Sequence, residues 1–197
     1  MSALVLATRN DHKLRELREA LPGAEIDPLP AEVELPPETA ETFEENALGK
    51  ARAAHVATGR PAIADDSGIA AYGLGGRPGV RSARYAGEDA TDEENLAKLL
   101  EEVGVQEDRR VAYVCAIALV DEDGAESVFE GRCEGTLAHA PRGSGGFGYD
   151  PAFVPDDTGP DDARTMAELA PAEKHAISHR GRAARKLAAH LGVEVAP

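Results

Sequence analysis

The sequence has no tryptophan, two cysteines, and only four tyrosines and four phenylalanines among 197 residues. Cys115 and Cys133 show neither CxxC spacing nor a neighbouring Cys/His cluster. They give no basis for a disulfide framework or a structural zinc site and are read as reduced and buried. Basic residues are scarce as well, 21 against 36 acidic, for a formal net charge of -15. Nonspecific duplex binding needs clustered positive charge, so nucleic acid is not expected as a partner. Solubility is the plainest use of so acidic a surface, and a salt-rich cytoplasm is another. Nowhere do about 18 apolar residues run together, so no membrane span is expected. The opening MSALVLATRN has no basic region ahead of a long apolar stretch. No signal peptide is therefore expected, and the expected location is the cytoplasm.

What is present suits one well-packed domain spanning residues 1–197, with no internal repeat, low-complexity tract or interdomain linker. ALVLA, residues 3–7, reads as a strand running into a helix marked by Leu14, Leu17 and Leu21. A second helix is expected from Thr42 to about Ala57, ended near Gly59 and Pro61. PAIAD and IAAYGL read as strands on either side of a DDSG turn, and Thr91 with Glu94 caps another helix. RRVAYVCAIALV and ESVFEGRCEGTL, separated by DEDG, predict an antiparallel hairpin and hence a mixed sheet. One final helix is expected from roughly Glu173 to Leu191.

Four clusters carry potential chemistry. TRNDHK, residues 8–13, stands where a strand hands over to a helix. It offers either an anion site, with Arg9 and Lys13 adding charge, or simply a helix cap from Asn10 or Asp11. In ETFEENALGKA, Thr42 and Glu45 have capping-box spacing, while Glu44, Glu45 and Asn46 crowd the first turn and Lys50 follows about a turn later. Carboxylates placed there suit magnesium, which takes a few protein oxygens and shares water and substrate phosphate. Asp65 and Asp66, adjacent on an extended chain, point to opposite faces, so only one lines a given pocket. One can serve a metal or a water, or both can belong to an ordinary Asp-Ser-Gly turn. GSGGFGYDP, residues 143–151, lets backbone approach a ligand, with Phe147 or Tyr149 as a stacking face. It lacks the GK[ST] of a phosphate loop. Lys174, His179 and Arg180 in EKHAISHR suit an anionic, hydrogen-bonding ligand better than zinc, despite the i, i+4 spacing of His175 and His179.

Taken in order, TRNDHK, TFEENALGKA, IADDSGIAAYGLGGRPGVRSARYAG, GGFGYDPAF and KHAISHR closely resemble the Ham1/RdgB-like inosine triphosphate pyrophosphatase family over nearly the whole chain. The resemblance implies an α/β fold: an elongated mixed sheet with flanking helices, two lobes around a nucleotide cleft, and a homodimer. It implies hydrolysis of noncanonical purine triphosphates, chiefly ITP, dITP and XTP, to monophosphate and pyrophosphate with Mg2+. Thr8, Arg9, Asn10, Asp11, His12 and Lys13 would meet the triphosphate, and Asp66 would be the general base and a metal ligand with Glu45 beside it. Ser67 would touch substrate, with Asp65 and Lys50 supporting. Phe147, Gly148, Tyr149 and Asp150 would form the base and sugar pocket, closed by Lys174, His179 and Arg180. Ala40 and Pro37 depart from the usual pattern of the loop before the second helix. Competing readings are a Maf-type pyrophosphatase, against which GFGYD and SHR speak, and a nucleotide-binding module without turnover. Ser67 has no GxSxG setting and is not expected to be a nucleophile.

Overall fold

The computed structural model describes residues 3–195. Its strands are β1 (Leu4–Leu6), β2 (Ile26–Pro28), β3 (Ala62–Ala71), β4 (Arg110–Val120), β5 (Glu126–Leu137) and β6 (Phe153–Pro155), and they form one sheet in the order β2-β1-β3-β4-β5-β6. The sheet is mixed. β1 runs parallel to β2 and to β3, with Val5 opposite Asp27 and Ala62, whereas β5 and β6 are antiparallel, with Thr136 opposite Val154. The helices are α1 (Asp11–Ala20), α2 (Phe43–Thr58), α3 (Asp92–Gly104), α4 (Pro171–Ile177) and α5 (His179–Leu191). This is the mixed α/β architecture expected from the sequence.

The chain forms two compact units. The first comprises residues up to Asp66, Cys115–Gly131 and those from His179 onward. Here strand parity sorts the core, because successive side chains point to opposite faces. Leu4, Leu6, Ile63, Cys115, Ile117 and Leu119 pack with Leu17 of α1 and Leu187 of α5. Val5, Ala62, Ala64, Ala118 and Val120 pack instead with Ala47, Ala51 and Ala54 of α2. That alternation puts Asp65 on the α1/α5 face and Asp66 on the α2 face. Thr42 caps α2 by accepting from the Glu45 N–H at 3.2 Å, and Gly59 closes it with φ +64°, a left-handed conformation that favours glycine.

The second unit comprises Ser67–Val114 and Arg132–Ser178, with a core around Ile69, Leu99, Val111, Tyr113 and Phe153. The capping box predicted for α3 is present: Thr91 Oγ accepts from the Glu94 N–H, and the Thr91 N–H donates to Glu94 Oε2 at 2.8 Å.

Three expectations are corrected. The DDSG turn does not exist, since β3 continues from Ala62 to Ala71 through both aspartates. A buried strand can carry those charges because each meets partners, described below. The stretch expected as the strand IAAYGL leaves extended structure after Ala71, and residues 72–74 form a 3-10 turn. The single C-terminal helix is two helices, because Ser178 adopts φ -64°, ψ 151° and ends α4 before α5 begins. His175 and His179 therefore do not share one helical face. β2 and β6, three residues each, are too short to show a period in the sequence.

Gly68 allows a close approach inside β3. A Cβ there would lie 2.4 Å from Ser82 Oγ and 2.6 Å from the Gly79 carbonyl. Ser82 Oγ accepts from the Ile69 N–H at 2.9 Å and donates to Gly79 O, and its carbonyl accepts from Tyr149 Oη at 2.7 Å. Gly68→Ala is expected to destabilise the protein by about 1–3 kcal/mol through this overpacking. Urea unfolding measures it, and an unchanged midpoint would show that the contact yields without cost.

Candidate active site

In the first unit, charged side chains converge on the two aspartates of β3. Asp65 is fully buried. Its Oδ2 accepts from Arg180 Nε at 3.2 Å and Nη2 at 3.0 Å, and lies 3.2 Å from Lys13 Nζ. Arg180 Nη1 also donates to Glu16, and Lys50 Nζ donates to the Asp65 carbonyl at 2.7 Å. On the other face, Asp66 Oδ2 accepts from Asn46 Nδ2 at 3.1 Å, while Oδ1 lies 3.7 Å from Lys50 Nζ. The same ammonium donates to Glu38 Oε1 at 2.5 Å. Asn46 Oδ1 accepts from the Ala40 N–H at 3.0 Å, which ties the loop carrying Glu38 to α2.

These neighbours divide the two carboxylates electrostatically. Burial opposes ionisation of Asp65, but Lys13, Arg180 and Lys50 overcome it and hold the carboxyl well below the usual carboxylate range. Burial also raises Asp66, and there it prevails: Lys50 counteracts it, Glu38 reinforces it, and the result lies above the ordinary value. Burial works against the Lys50 charge too, yet Asp66, Asp65 and Glu38 raise its pKa. Asp65 is thus a fixed anion within a cationic cage, whereas Asp66 is the carboxylate with greater affinity for a proton. Cys115, beside this network, is pushed up to about 12 by burial and then by Asp65, and is an inert thiol.

The structure places the remaining candidates plainly. Asn10 caps α1, its Oδ1 accepting from the N–H groups of His12 at 2.9 Å and Lys13 at 3.3 Å. Thr8 Oγ accepts from the Asn10 N–H, and Arg15 donates to His12 Nδ1 at 2.7 Å. Asp11 is exposed in the first turn. Arg9 is engaged by the protein itself: its guanidinium donates to the carbonyls of Leu29, Pro30, Ala31 and Val33 and pins that loop. Lys13 of this motif enters the aspartate network. Glu45 is exposed and takes no part in it, because it lies one residue out of phase with Asn46 and Lys50, which share the buried face of α2 at i, i+4 spacing. Glu38, in the loop whose metal role the departure at Pro37 put in doubt, is the acidic side chain that meets Lys50 next to Asp66. No local periodicity could have found it, since its loop has none.

Arg180, expected to close a base pocket, is 3% exposed and held by Asp65 and Glu16. His179 is buried at the start of α5, and Ser67 is half-buried on β3.

In the second unit the glycine-rich loop is organised around Asp150, itself 3% exposed. Its Oδ1 accepts from Tyr113 Oη at 3.1 Å, and its Oδ2 accepts from the Phe147 N–H at 3.0 Å and Lys174 Nζ at 2.8 Å. Lys174 Nζ also lies 5.2 Å from the Phe147 ring centroid, within cation–π range. The Gly148 N–H donates to Asp92 Oδ2 at 2.8 Å, and Tyr149 is buried with its hydroxyl on Ser82. Gly146, at φ +73°, has no room for a side chain: a Cβ would lie 2.1 Å from Asp150 Oδ2. Of the four GFGYD candidates, Asp150 and Tyr149 hold the loop from within, and Phe147 and Gly148 remain half-buried.

Among the described residues, no group of three or more His, Cys, Asp or Glu is arranged to hold a metal. Magnesium commonly takes one or two carboxylates, with water and phosphate completing its shell. Asp66 and Glu38 fit that need. Their mutual repulsion, one cause of the raised Asp66 pKa, is what a bound cation would relieve. Asp65 does not fit, being fully buried among three cations, although its Oδ1 has no hydrogen-bond partner.

The two aspartates should respond oppositely to neutralisation. The depressed pKa of Asp65 contributes stability above the ordinary aspartate range, and this is lost as pH falls through its lowered value. Asp65→Asn should therefore cost roughly 3–5 kcal/mol near pH 7, the cost of leaving buried cations without their partner. The raised pKa of Asp66 contributes stability below the ordinary aspartate value, and this is lost as pH rises through its folded value. Asp66→Asn should accordingly be as stable as the wild type, or more so, at pH 7. Urea melts of both variants measure the contrast, and equal losses would contradict it.

Residues 4–190 match the Ham1 family. The chain is 50% identical to a dITP/XTP pyrophosphatase of Mycolicibacterium paratuberculosis over 95% of this chain and 94% of that protein. It is 49% identical to a dITP/XTP pyrophosphatase of Geobacter sulfurreducens over 98% of each. Among solved structures it superposes on a HAM1 protein from Coxiella burnetii with a TM-score of 0.87 and 45% identity, covering 98% of this chain and 99% of that one. The chain belongs to the Ham1 family.

Proposed function

We propose that this protein is a nucleoside triphosphate pyrophosphatase that hydrolyses ITP, dITP and XTP to the monophosphate and pyrophosphate, clearing deaminated purines from the nucleotide pool. The observation that carries the reading is the division between adjacent carboxylates: Asp65 fixed as an anion by Lys13, Arg180 and Lys50, and Asp66 with a raised pKa. The names of the two relatives support the substrate class.

In this mechanism Asp66 accepts a proton from a water as that water's oxygen bonds to the α-phosphorus. The bond from the α-phosphorus to the α–β bridging oxygen breaks, and its electron pair leaves with pyrophosphate. Lys13, kept in place by Asp65, neutralises negative charge on the departing group. Asn46 and Lys50 hold the Asp66 carboxylate, and Arg180 acts through Asp65. Mg2+, held by Asp66 and Glu38, would supply charge neutralisation on the phosphates. Thr8, Asn10, Asp11, His12 and Ser67 keep the substrate-contacting role that the family pattern gives them, and His179 closes the site.

Base selection falls to Phe147 and Lys174 in this reading. Phe147 offers a stacking face, and the Lys174 ammonium beside it offers a donor. Hypoxanthine and xanthine present an acceptor oxygen at position six, where adenine presents an amino group; guanine shares that oxygen, so its rejection falls to its 2-amino group. A donor left facing the adenine amino group costs roughly 1–3 kcal/mol. The protein is further proposed to work as a cytoplasmic homodimer. Among the described residues no helix is long and apolar enough to cross a membrane.

The test is pyrophosphate release from ITP, dITP, XTP, ATP and GTP, with Mg2+ and with a chelator. Metal-dependent release from the first three, with ATP and GTP largely spared, is expected. Asp66→Asn should lower kcat by at least about 10²-fold, the scale of a lost general base. Binding of XTP without turnover in the wild-type protein would identify a binding module instead.

A further inference from the structure

We propose that Tyr113 is a positioning residue for base recognition, acting through Asp150 on Phe147 and Lys174. The inference rests on the pyrophosphatase reading above and concerns a residue outside every motif that marks the family.

Tyr113 lies on β4 and is 6% exposed, its ring stacked on Phe153 with centroids 4.5 Å apart and planes inclined at 28°. Burial, and then the neighbouring Asp150, raise its pKa well above the usual tyrosine value, so the hydroxyl remains a proton donor throughout the working pH range. It gives that hydrogen bond to Asp150 Oδ1. The other oxygen of the same carboxylate accepts from the Phe147 N–H and from Lys174 Nζ. In this orientation each Asp150 oxygen is met by a donor from within the protein.

That orientation sets two groups facing the proposed base site. The Phe147 N–H bond fixes the backbone that aims the Phe147 ring, and the Lys174 bond holds the ammonium 5.2 Å from the centroid of that ring. The absence of a side chain at Gly146 makes room for the same carboxylate. Removing only the Tyr113 hydroxyl would leave Oδ1 buried without a donor. The carboxylate would then turn to share its remaining donors between two oxygens, loosening both the ring and the ammonium. Asp65 and Asp66 have partners other than Tyr113 and Asp150 and would keep them.

The experiment compares the wild type, Tyr113→Phe and Phe153→Leu, using steady-state hydrolysis of XTP and ATP, calorimetric XTP binding and thermal melts. For Tyr113→Phe we expect a roughly tenfold higher KM and Kd for XTP, with kcat nearly unchanged. The preference for XTP over ATP should fall by a similar factor. Phe153→Leu disturbs the same packing but spares the hydroxyl, so it should lower Tm while leaving KM and preference intact. The inference is overturned if Tyr113→Phe keeps wild-type KM, Kd and preference, if it lowers kcat alone, or if Phe153→Leu reproduces the KM rise. If the wild type binds XTP but does not cleave it, the pyrophosphatase reading fails by itself and the Kd comparison still decides the role of Tyr113. Absence of both binding and cleavage overturns both.

Discussion

Burial of the Asp65 charge is the constraint on which the first unit depends. A carboxylate on a central strand, removed from water, is tolerated only with compensating cations and hydrogen bonds. Here they come from three helices: Lys13 from α1, Lys50 from α2 and Arg180 from α5. The Asp65 carboxylate thereby ties α1 and α5 to the sheet, and its main-chain carbonyl ties α2. It also determines how Asp66 can behave, because the lysine that reaches the Asp65 carbonyl is the one that approaches Asp66 and Glu38. The electrostatic contrast between consecutive residues follows from strand alternation and from what each face packs against.

The second unit solves a comparable problem with Asp150. That carboxylate holds a loop that has little regular structure and needs glycine at Gly146 to pass over it. Both units thus use a buried carboxylate as an internal fastener and leave a cation beside it, Lys13 in one and Lys174 in the other. Cations held this way are oriented before a ligand arrives, which lowers the entropic cost of engaging an anion or an acceptor oxygen.

Much of this was legible in the sequence. The α/β class, the β4–β5 pair with its DEDG turn, the capping box of α3 and the importance of the aspartate pair all follow from periodicity, turn chemistry and spacing. The opposite orientation of Asp65 and Asp66 follows from the pleat alone. Other features could not be read locally. DDSG has the composition of a turn, and only partners 15 to 115 residues away allow it to remain a strand. Ser178 breaks what composition presents as one helix. Arg9, Arg180 and Asp150 carry the charges and hydrogen-bonding groups of ligand-binding residues, yet each is engaged by the protein itself. Glu38 lies in a loop without periodicity, so its approach to Lys50 emerges only in three dimensions.

The central claim is that water positioned by Asp66 attacks the α-phosphorus. A single turnover of XTP in water enriched in oxygen-18 tests it most directly, with mass analysis of both products. The account predicts the label in the monophosphate and unlabelled pyrophosphate. Label in pyrophosphate, or release of labelled orthophosphate as the first product, would place the attack on another phosphorus and contradict the mechanism.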